Sequence, residues 1–354
     1  MREFGVKAKL AQDFVGYVGT PASFRQLFLT EDSPPSERYQ HRIYRPEEIR
    51  AQRLKLLGYS ANIKRPKDLP PILNCRMTKG GTGKSTVAAN LATALSARGH
   101  KILMIDGDPQ ASLTSLFGID WSVEDITHIG ELMLRNYKNR QVNIREAIRP
   151  IFGAGMLDLI ASDITLASAD SWLLGATGRE KMLKRLLDAQ IDFFSQYDAI
   201  IIDSPPGLTP LANTLMVPCK TILAIAELDG YSMKAMEVLD LNIREINTAF
   251  DDVNIDVLVV ANKYHHGMKS REEALQKLGA AYGDRIYEYP LPESESFKKQ
   301  MSHMSPDKSG TVIEREPNSV ATKEIIKLAS WLVRFFDIRI AGISTVPTKV
   351  RATA

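Results

Sequence analysis

The sequence predicts an α/β protein: a mostly parallel, twisted sheet with helices on both faces, preceded by a small helical extension. Three observations support this fold class. From Ile72 onward, short apolar runs alternate with helical stretches, which is the pattern of βα units. A glycine-rich stretch joins the first apolar run to the first long helical one. Two later apolar runs end in Asp106 and Asp203, at the strand ends where open α/β sheets place ligands.

Composition limits the kind of protein this can be. The chain has 354 residues, of which 44% are hydrophobic and 25% charged, enough for one large domain and an appendage. No apolar run is long enough to cross a membrane, and the N-terminus lacks a signal-peptide core, so we expect a cytoplasmic protein without a membrane partner. Cys75 and Cys219 lie beside apolar runs and are expected to be buried. Neither they nor the six histidines have metal-site spacing.

Residues 1–70 are predicted to form a basic helical extension and a linker. Residues 1–69 hold a net charge of +5, from thirteen Lys and Arg against eight Asp and Glu. Short helices are expected at 14–17 and 24–29, and a longer one at 46–58 with Pro46 in its first turn. The proline-containing segment 64–71 is predicted to be the linker. Concentrated positive charge favours an anionic partner.

The glycine-rich stretch follows the strand predicted at 72–75 and precedes the helix predicted at 87–95. Its glycines let backbone N–H groups surround phosphate oxygens at a helix N-terminus. Lys84 can reach the β- and γ-phosphates, and the Ser85 hydroxyl can bind Mg²⁺. The usual pattern has glycine at position 78, but this chain has Thr78 followed by Lys79. The predicted nucleotide-binding residues are Gly80, Gly81, Thr82, Gly83, Lys84, Ser85 and Thr86.

The segment 79–86, Lys-Gly-Gly-Thr-Gly-Lys-Ser-Thr, resembles the deviant Walker A motif of the ParA/MinD group of P-loop ATPases. In that group a second, signature lysine occupies the place of Lys79. The resemblance implies ATP and Mg²⁺ as cofactors and a nucleotide-sandwich homodimer, in which Lys79 reaches the partner's phosphates. An isolated monomer would then lack a complete site. Length and the extension make the chain similar to the larger members of the ParA family.

Three further positions follow from this resemblance. The segment 106–112, Asp-Gly-Asp-Pro-Gln-Ala-Ser, resembles switch I, which implies that Asp108 positions the attacking water and Asp106 supports the Mg²⁺ shell. Asp203 and the Ser-Pro-Pro after it resemble Walker B and switch II, so Asp203 is expected to hold Mg²⁺ through its water shell. Asn262 resembles the adenine-side asparagine of the family, although an asparagine that only caps a strand remains open.

The remaining elements are expected in the following order. Residues 113–155 should be mostly helical, 156–160 a strand, 163–195 two helices, 199–202, 221–226, 255–260 and 286–290 strands, and 318–336 the closing helix. The ATPase domain is predicted to span 71–340, and 341–354 to form a flexible tail.

The favoured interpretation is a partition ATPase of the ParA type, cytoplasmic and associated with the nucleoid. Its ATP dimer would bind DNA nonspecifically, and a centromere-binding partner of the ParB type would stimulate slow hydrolysis. Charge alone suggests Lys298 and Lys299 as DNA contacts, with Arg45, Arg50 and Arg53 as a second patch. Two alternatives remain: an ATP-regulated repressor that uses the extension, and a MinD-like or cargo-positioning ATPase. Pro66 leaves little room for a second DNA-binding helix.

Overall fold

The computed structural model describes residues 1–29, 42–60, 65–302, 309–344 and 350–351. The strands are β1 (Val6–Lys7), β2 (Tyr17–Val18), β3 (Ile43–Tyr44), β4 (Ile72–Arg76), β5 (Ile102–Asp106), β6 (Ile148–Phe152), β7 (Leu157–Ile160), β8 (Ala199–Asp203), β9 (Thr221–Glu227), β10 (Asp256–Asn262) and β11 (Val350–Arg351). Seven of them form the central sheet in the order β10-β9-β4-β8-β5-β7-β6. All neighbours are parallel except β6, which runs antiparallel to β7 at one edge. The predicted mostly parallel α/β fold is confirmed.

Helices cover both faces of this sheet. They are α1 (Ala8–Val15), α2 (Pro21–Gln26), α3 (Pro46–Leu56), α4 (Lys84–Ala97), α5 (Ser112–Leu116), α6 (Ile129–Tyr137), α7 (Ile144–Ala147), α8 (Ser168–Leu174), α9 (Met182–Ala189), α10 (Ile191–Phe194), α11 (Pro210–Met216), α12 (Gly230–Ala249), α13 (Lys269–Tyr282), α14 (Glu295–Ser302), α15 (Val312–Arg315) and α16 (Val320–Phe335). One face packs against α6, α8, α9, α11, α12 and α13, and the other against α4, α5, α15 and α16. Within the described part of the chain, no helix combines the length and apolar character needed to cross a membrane.

The glycine-rich loop is flanked by β4, an inner strand of the sheet, and by α4. Every residue of β4, β5 and β8 is buried, which explains why their sequences are nearly continuous apolar runs. Of the fourteen residues of α4, only Ser85 is partly exposed. The small residues on this helix allow the sheet and α16 to pack closely on opposite sides of it.

Two predictions about secondary structure are wrong. The expected strand at 286–290 is reduced to one bridge, in which the Tyr287 N–H donates to the Val259 carbonyl at 2.9 Å. Pro290 and Pro292 have no N–H to continue the ladder. Residues 113–155, expected to be mostly helical, include the edge strand β6. Its Pro150 is tolerated because the strand has a neighbour on one side only.

The extension also differs from its prediction. Its first helix begins at Ala8 rather than near residue 14, and Tyr17 belongs to a strand. Residues 65–71 form neither helix nor strand, as a linker should, whereas Lys64 lies outside the described residues. The extension packs on the α/β domain through its own apolar cluster, which includes Phe14, Phe24, Tyr44 and Ile49 together with Ala97 of α4.

Arg50 and Arg53 of α3 are buried, so their predicted role as a DNA-binding patch is wrong. Arg50 donates to the Gly99 carbonyl at 2.9 Å, and Arg53 donates to the Arg98 carbonyl. These two carbonyls lie at the C-terminal end of α4, where a helix dipole favours cations. The backbones approach so closely that a Cβ on Gly99 would lie 2.8 Å from the Arg50 Cα. Positive charge in this helix therefore attaches the extension to the α/β domain.

A buried carboxylate completes this attachment. Asp198, immediately before β8, pairs with Arg50 and accepts from Arg65 at 2.7 Å. It also accepts from the Lys101 and Ala341 backbone N–H groups, each at 2.8 Å. One side chain thus joins α3, the linker, the sheet and the start of the segment predicted as the tail. Residues 345–349 and 352–354 of that segment lie outside the described residues, and β11 pairs with β2.

Candidate nucleotide-binding site

The loop between β4 and α4 has the backbone geometry that phosphate binding requires. Gly81 has φ 73° and Gly83 has φ 92°, conformations that glycine adopts without strain. Gly83 is the N-cap of α4, so the positive end of the helix points at this loop. The loop therefore offers backbone donors and a helix N-terminus to an anion, as its sequence predicts.

Asn262 fixes the loop from the neighbouring part of the sheet. It ends β10, and its side-chain amide donates to the Thr82 carbonyl at 2.8 Å. A Cβ on Gly83 would lie 2.5 Å from this amide nitrogen, so glycine is needed here for space as well as for φ. Asn262 thus lies beside the predicted nucleotide site, where it orders the loop.

Lys84 and Asp203 are buried ionisable residues at the phosphate loop. Lys84 is buried, and burial lowers its pKa although Asp203 and Asp108 act to raise it. Both oxygens of Asp203 are buried and have no hydrogen-bond partner among the described residues. Burial, together with the Asp106 carboxylate, raises the pKa of Asp203 well above its ordinary value, against the opposing effect of Ser85 and Lys84.

These residues fit a divalent cation that is coordinated partly by the protein and partly by a bound nucleotide. Asp106 and Asp203 are paired neighbours on β5 and β8. The unpartnered oxygens of Asp203 and the nearby Ser85 hydroxyl are hard oxygen donors of the kind that Mg²⁺ prefers. The described residues contain no group of three or more His, Cys, Asp or Glu that could hold a metal alone. Mg²⁺ in this site would therefore depend on phosphate oxygens and water for the rest of its coordination shell.

Asp106 and Asp108 organise the segment that resembles switch I. Asp106 accepts from the Thr114 N–H at 2.9 Å, from the Thr114 hydroxyl at 2.7 Å and from the Asp108 N–H at 3.1 Å. Burial raises its pKa to about 7, although these hydrogen bonds oppose the shift. Its oxygens thus hold α5 and the turn before it. Asp108 accepts from the Gln110 N–H at 2.9 Å and lines the cavity described below.

Lys79 is paired with two carboxylates beside the cavity described below. Its Nζ lies 2.6 Å from Asp229 and 3.4 Å from Glu227, with 28% of the side chain exposed. Burial acts to lower the pKa of Lys79, but its hydrogen bond to Asp229 and the two carboxylates outweigh burial and raise it. Glu227 also pairs with Lys263 at 3.6 Å and Arg271 at 3.5 Å.

A cavity of about 760 Å³ brings most of the predicted residues together. Those that line it are Gly80, Gly81, Gly83, Lys84, Ser85, Thr86, Asp108 and Asn262. Lys79, Thr82, Asp106 and Asp203 lie next to it without being part of the lining. Its far wall is the segment from Pro292 to Lys298, which includes Phe297. A nucleotide-sized ligand fits this space, with its phosphates at the loop.

Several lining residues were missed in the sequence. Glu227, Lys263 and Arg271 belong to β9, the loop after β10, and α13. Glu227 and Lys263 could have been found, because Glu227 directly follows a predicted strand and Lys263 directly follows Asn262, on the ligand side of the sheet. Arg271 lies nine residues beyond Asn262, and no local pattern identifies it.

Comparison with known proteins agrees with this geometry. The AAA_31 family model, described as an AAA domain, matches residues 72–257, more than half of the chain. The cell division protein PomZ of Myxococcus xanthus is 27% identical over 80% of this chain and 82% of its own length. The chromosome partitioning protein ParA of Caulobacter vibrioides is 26% identical over 62% of this chain and 82% of its own length.

A solved structure shares the fold. The ATP complex of a McdA variant from Cyanothece superposes with a TM-score of 0.64 and 20% identity, covering 75% of this chain and 97% of that one. The loop geometry, the strand order and the family match lead to one assignment. The chain belongs to the AAA domain family matched at residues 72–257, and its fold is that of the ParA/MinD group of P-loop ATPases.

Proposed function

We propose that this chain is a positioning ATPase that dimerises on ATP, binds DNA without sequence preference and segregates DNA with a ParB-type adaptor. One observation carries the proposal: the second lysine of the loop, Lys79, pairs with Asp229 and Glu227 and is absent from the lining of its own cavity. A lysine beside the phosphate loop that does not line its own cavity suits a dimer in which each subunit's lysine completes the other subunit's site.

In this proposal each subunit supplies the binding site and its partner supplies one charge. The loop from Gly80 to Thr86 holds the phosphates of ATP, with Lys84 at the β- and γ-phosphates and Asn262 on the base side. Ser85 and Asp203 would hold Mg²⁺, with Asp106 in support, and the ion would neutralise phosphate charge. Asp108 orients the attacking water, and Lys79 of the partner balances the γ-phosphate.

ATP then acts as a switch. The γ-phosphate provides contacts that favour the closed dimer, and hydrolysis removes them. With water as the nucleophile and one aspartate to orient it, turnover is slow. Slow hydrolysis gives the dimer a lifetime that a partner protein can shorten, which is how a ParB-type adaptor would control it in the cytoplasm, on the nucleoid.

Fewer cations are available to bind DNA than the sequence alone suggested. Arg50 and Arg53 are buried against α4 and contribute no surface charge. Lys298 is exposed but lies 3.0 Å from both Glu293 and Glu295. We keep Lys298 and Lys299 of α14, with Arg45 of the extension, as the candidate DNA contacts.

Positioning of another cargo is the second candidate. The relatives carry names as different as cell division and chromosome partitioning, so the same ATP cycle can serve more than one cargo. A repressor is supported less well. The basic residues of α3 hold the extension on the ATPase domain, and residues 65–71 provide no second helix for a DNA groove.

The test is a salt series of DNA binding with ATP, with ADP and without nucleotide, on random and cognate duplexes. We expect binding only with ATP, and a decrease of about tenfold or more between 50 and 200 mM salt, because each neutralised phosphate releases counterions. Equal binding with ADP would contradict the switch. A strong preference for one operator would favour the repressor, and ATP-dependent dimerisation without DNA binding would favour another cargo.

A further inference from the structure

Arg76, the last residue of β4, is a buried cation that the ATPase mechanism above does not use. Its exposed fraction is zero, and it stands three residues before Lys79. No carboxylate among the described residues pairs with it, and its Nε and Nη1 have no hydrogen-bond partner there. Burial lowers the pKa of Arg76 to about 10. A buried cation without a counter-charge destabilises a fold, so packing alone does not account for this residue.

The hydrogen bonds that Arg76 does make converge from three elements. Its Nη2 donates to the Gly207 carbonyl at 3.3 Å, in the turn of switch II. The same nitrogen donates to Asn213 of α11 at 3.2 Å and to Asn242 of α12 at 3.4 Å. All three distances are long, so the guanidinium lies among these partners without binding any of them tightly.

Two more hydrogen bonds join the same elements near the Arg76 guanidinium. The Gly207 N–H donates to the Thr78 carbonyl at 2.9 Å, which ties switch II to the start of the phosphate loop. The Thr78 hydroxyl donates to the Ala235 carbonyl of α12 at 2.9 Å. The N-cap of α12 is Asp229, which holds Lys79. Switch II, the phosphate loop and the helix that holds the second lysine therefore meet around one side chain.

We propose that Arg76 is a positioning residue that couples the switch II turn to α12, so that ATP-dependent closure of the dimer depends on it. The inference rests on the proposed ATP switch and names a residue through which it is transmitted. Its loose, shared hydrogen bonds allow the guanidinium to change partners when switch II moves. Its two unpartnered nitrogens provide donors for a second arrangement of the turn.

The test compares Arg76→Met with Arg98→Met. Arg98 is also buried with an unpartnered Nε, but it lies just beyond the far end of α4 and donates to Ser330. We expect Arg76→Met to bind nucleotide within about threefold of wild type, with an unfolding midpoint no lower. ATP-dependent dimerisation and kcat should fall about tenfold, which is within the range that one residue contributes to the coupling between two sites. Arg98→Met should keep wild-type kcat, and Arg76→Lys should recover part of the loss.

A second variant tests the coupling itself. Asn242→Ala removes the α12 end of the link, and it should lower dimerisation in the wild-type background but add nothing to Arg76→Met. Wild-type dimerisation and kcat in Arg76→Met would overturn the inference. So would a parallel loss of nucleotide affinity and folding stability, since that would make Arg76 structural. Failure of the wild type itself to hydrolyse ATP would instead refute the proposed function, and this inference with it.

Discussion

Each end of α4 lies beside a cluster of charged residues, and the two clusters differ in how exposed they are. At its N-terminal end, Lys79 pairs with Asp229 and Glu227, and its side chain keeps 28% of its surface exposed. At its C-terminal end, Asp198 is 1% exposed and accepts four hydrogen bonds, from Arg50, Arg65 and two backbone N–H groups. The partly exposed Lys79 can exchange its carboxylate partners for others, whereas both carboxylate oxygens of Asp198 are fully hydrogen-bonded.

This difference separates a movable charge from a fixed one. An ion pair near the surface contributes little to stability, because water replaces its partner at low cost. A buried carboxylate with several donors is hard to disrupt, because losing it leaves cations without compensation. We infer that the C-terminal end holds the extension in place, while the N-terminal end is free to rearrange with the nucleotide.

The largest expected effect comes from breaking the fixed cluster. Asp198→Ala leaves Arg50 and Arg65 without their carboxylate, and we expect it to lower the free energy of unfolding by about 3–5 kcal/mol. Urea denaturation measures the change. The matched control is Asp192→Ala, whose pair with Lys67 is largely exposed and should contribute less than about 1 kcal/mol. Equal small losses in both variants would contradict the assignment of Asp198 as the attachment point.

The second-largest expected effect comes from removing Lys84, the buried lysine at the N-terminal end of α4. Lys84→Ala removes the buried charge beside the phosphates, and we expect nucleotide affinity to fall by about a hundredfold or more, since bonds to charged groups are the strong ones. Titration with a fluorescent ATP analogue gives the affinity. Lys184→Ala, a lysine of α9 that pairs with Asp188 and does not line the cavity, serves as the control and should bind normally. Undiminished affinity in Lys84→Ala would show that the loop is not the site.

The smallest effect should come from releasing the movable lysine. Asp229→Asn removes the charge that holds Lys79 but keeps an oxygen for the Ser232 N–H, so the cap of α12 survives. We expect a change in stability below about 1 kcal/mol and a modest gain in ATP-dependent dimerisation. Calorimetry and light scattering measure the two. A stability loss as large as that of Asp198→Ala would remove the distinction between the two ends.

The sequence predicted the loop and the central sheet well because both depend on local patterns. Strand, glycines and helix follow one another from Ile72 to Ala97, and each buried strand is an apolar run. Prediction from the sequence failed where the environment of a side chain depends on which elements are neighbours in the fold. Arg50 and Arg53 look like surface charge until α3 is found against the end of α4. The partners of Lys79 could not be predicted either, because β9 lies beside β4 only in the folded sheet.

The central claim is that Lys79 serves the partner's site, and a mixing experiment tests it most directly. Lys79→Ala and Asp108→Ala are each expected to be inactive in ATP hydrolysis. In a mixed dimer, the Lys79→Ala subunit keeps its own Asp108 and receives Lys79 from the other subunit, which makes one complete site. An equal mixture should therefore recover about a quarter of wild-type turnover, because random pairing makes half of the dimers mixed and each has one complete site of two. A mixture as inactive as its two components would contradict the account.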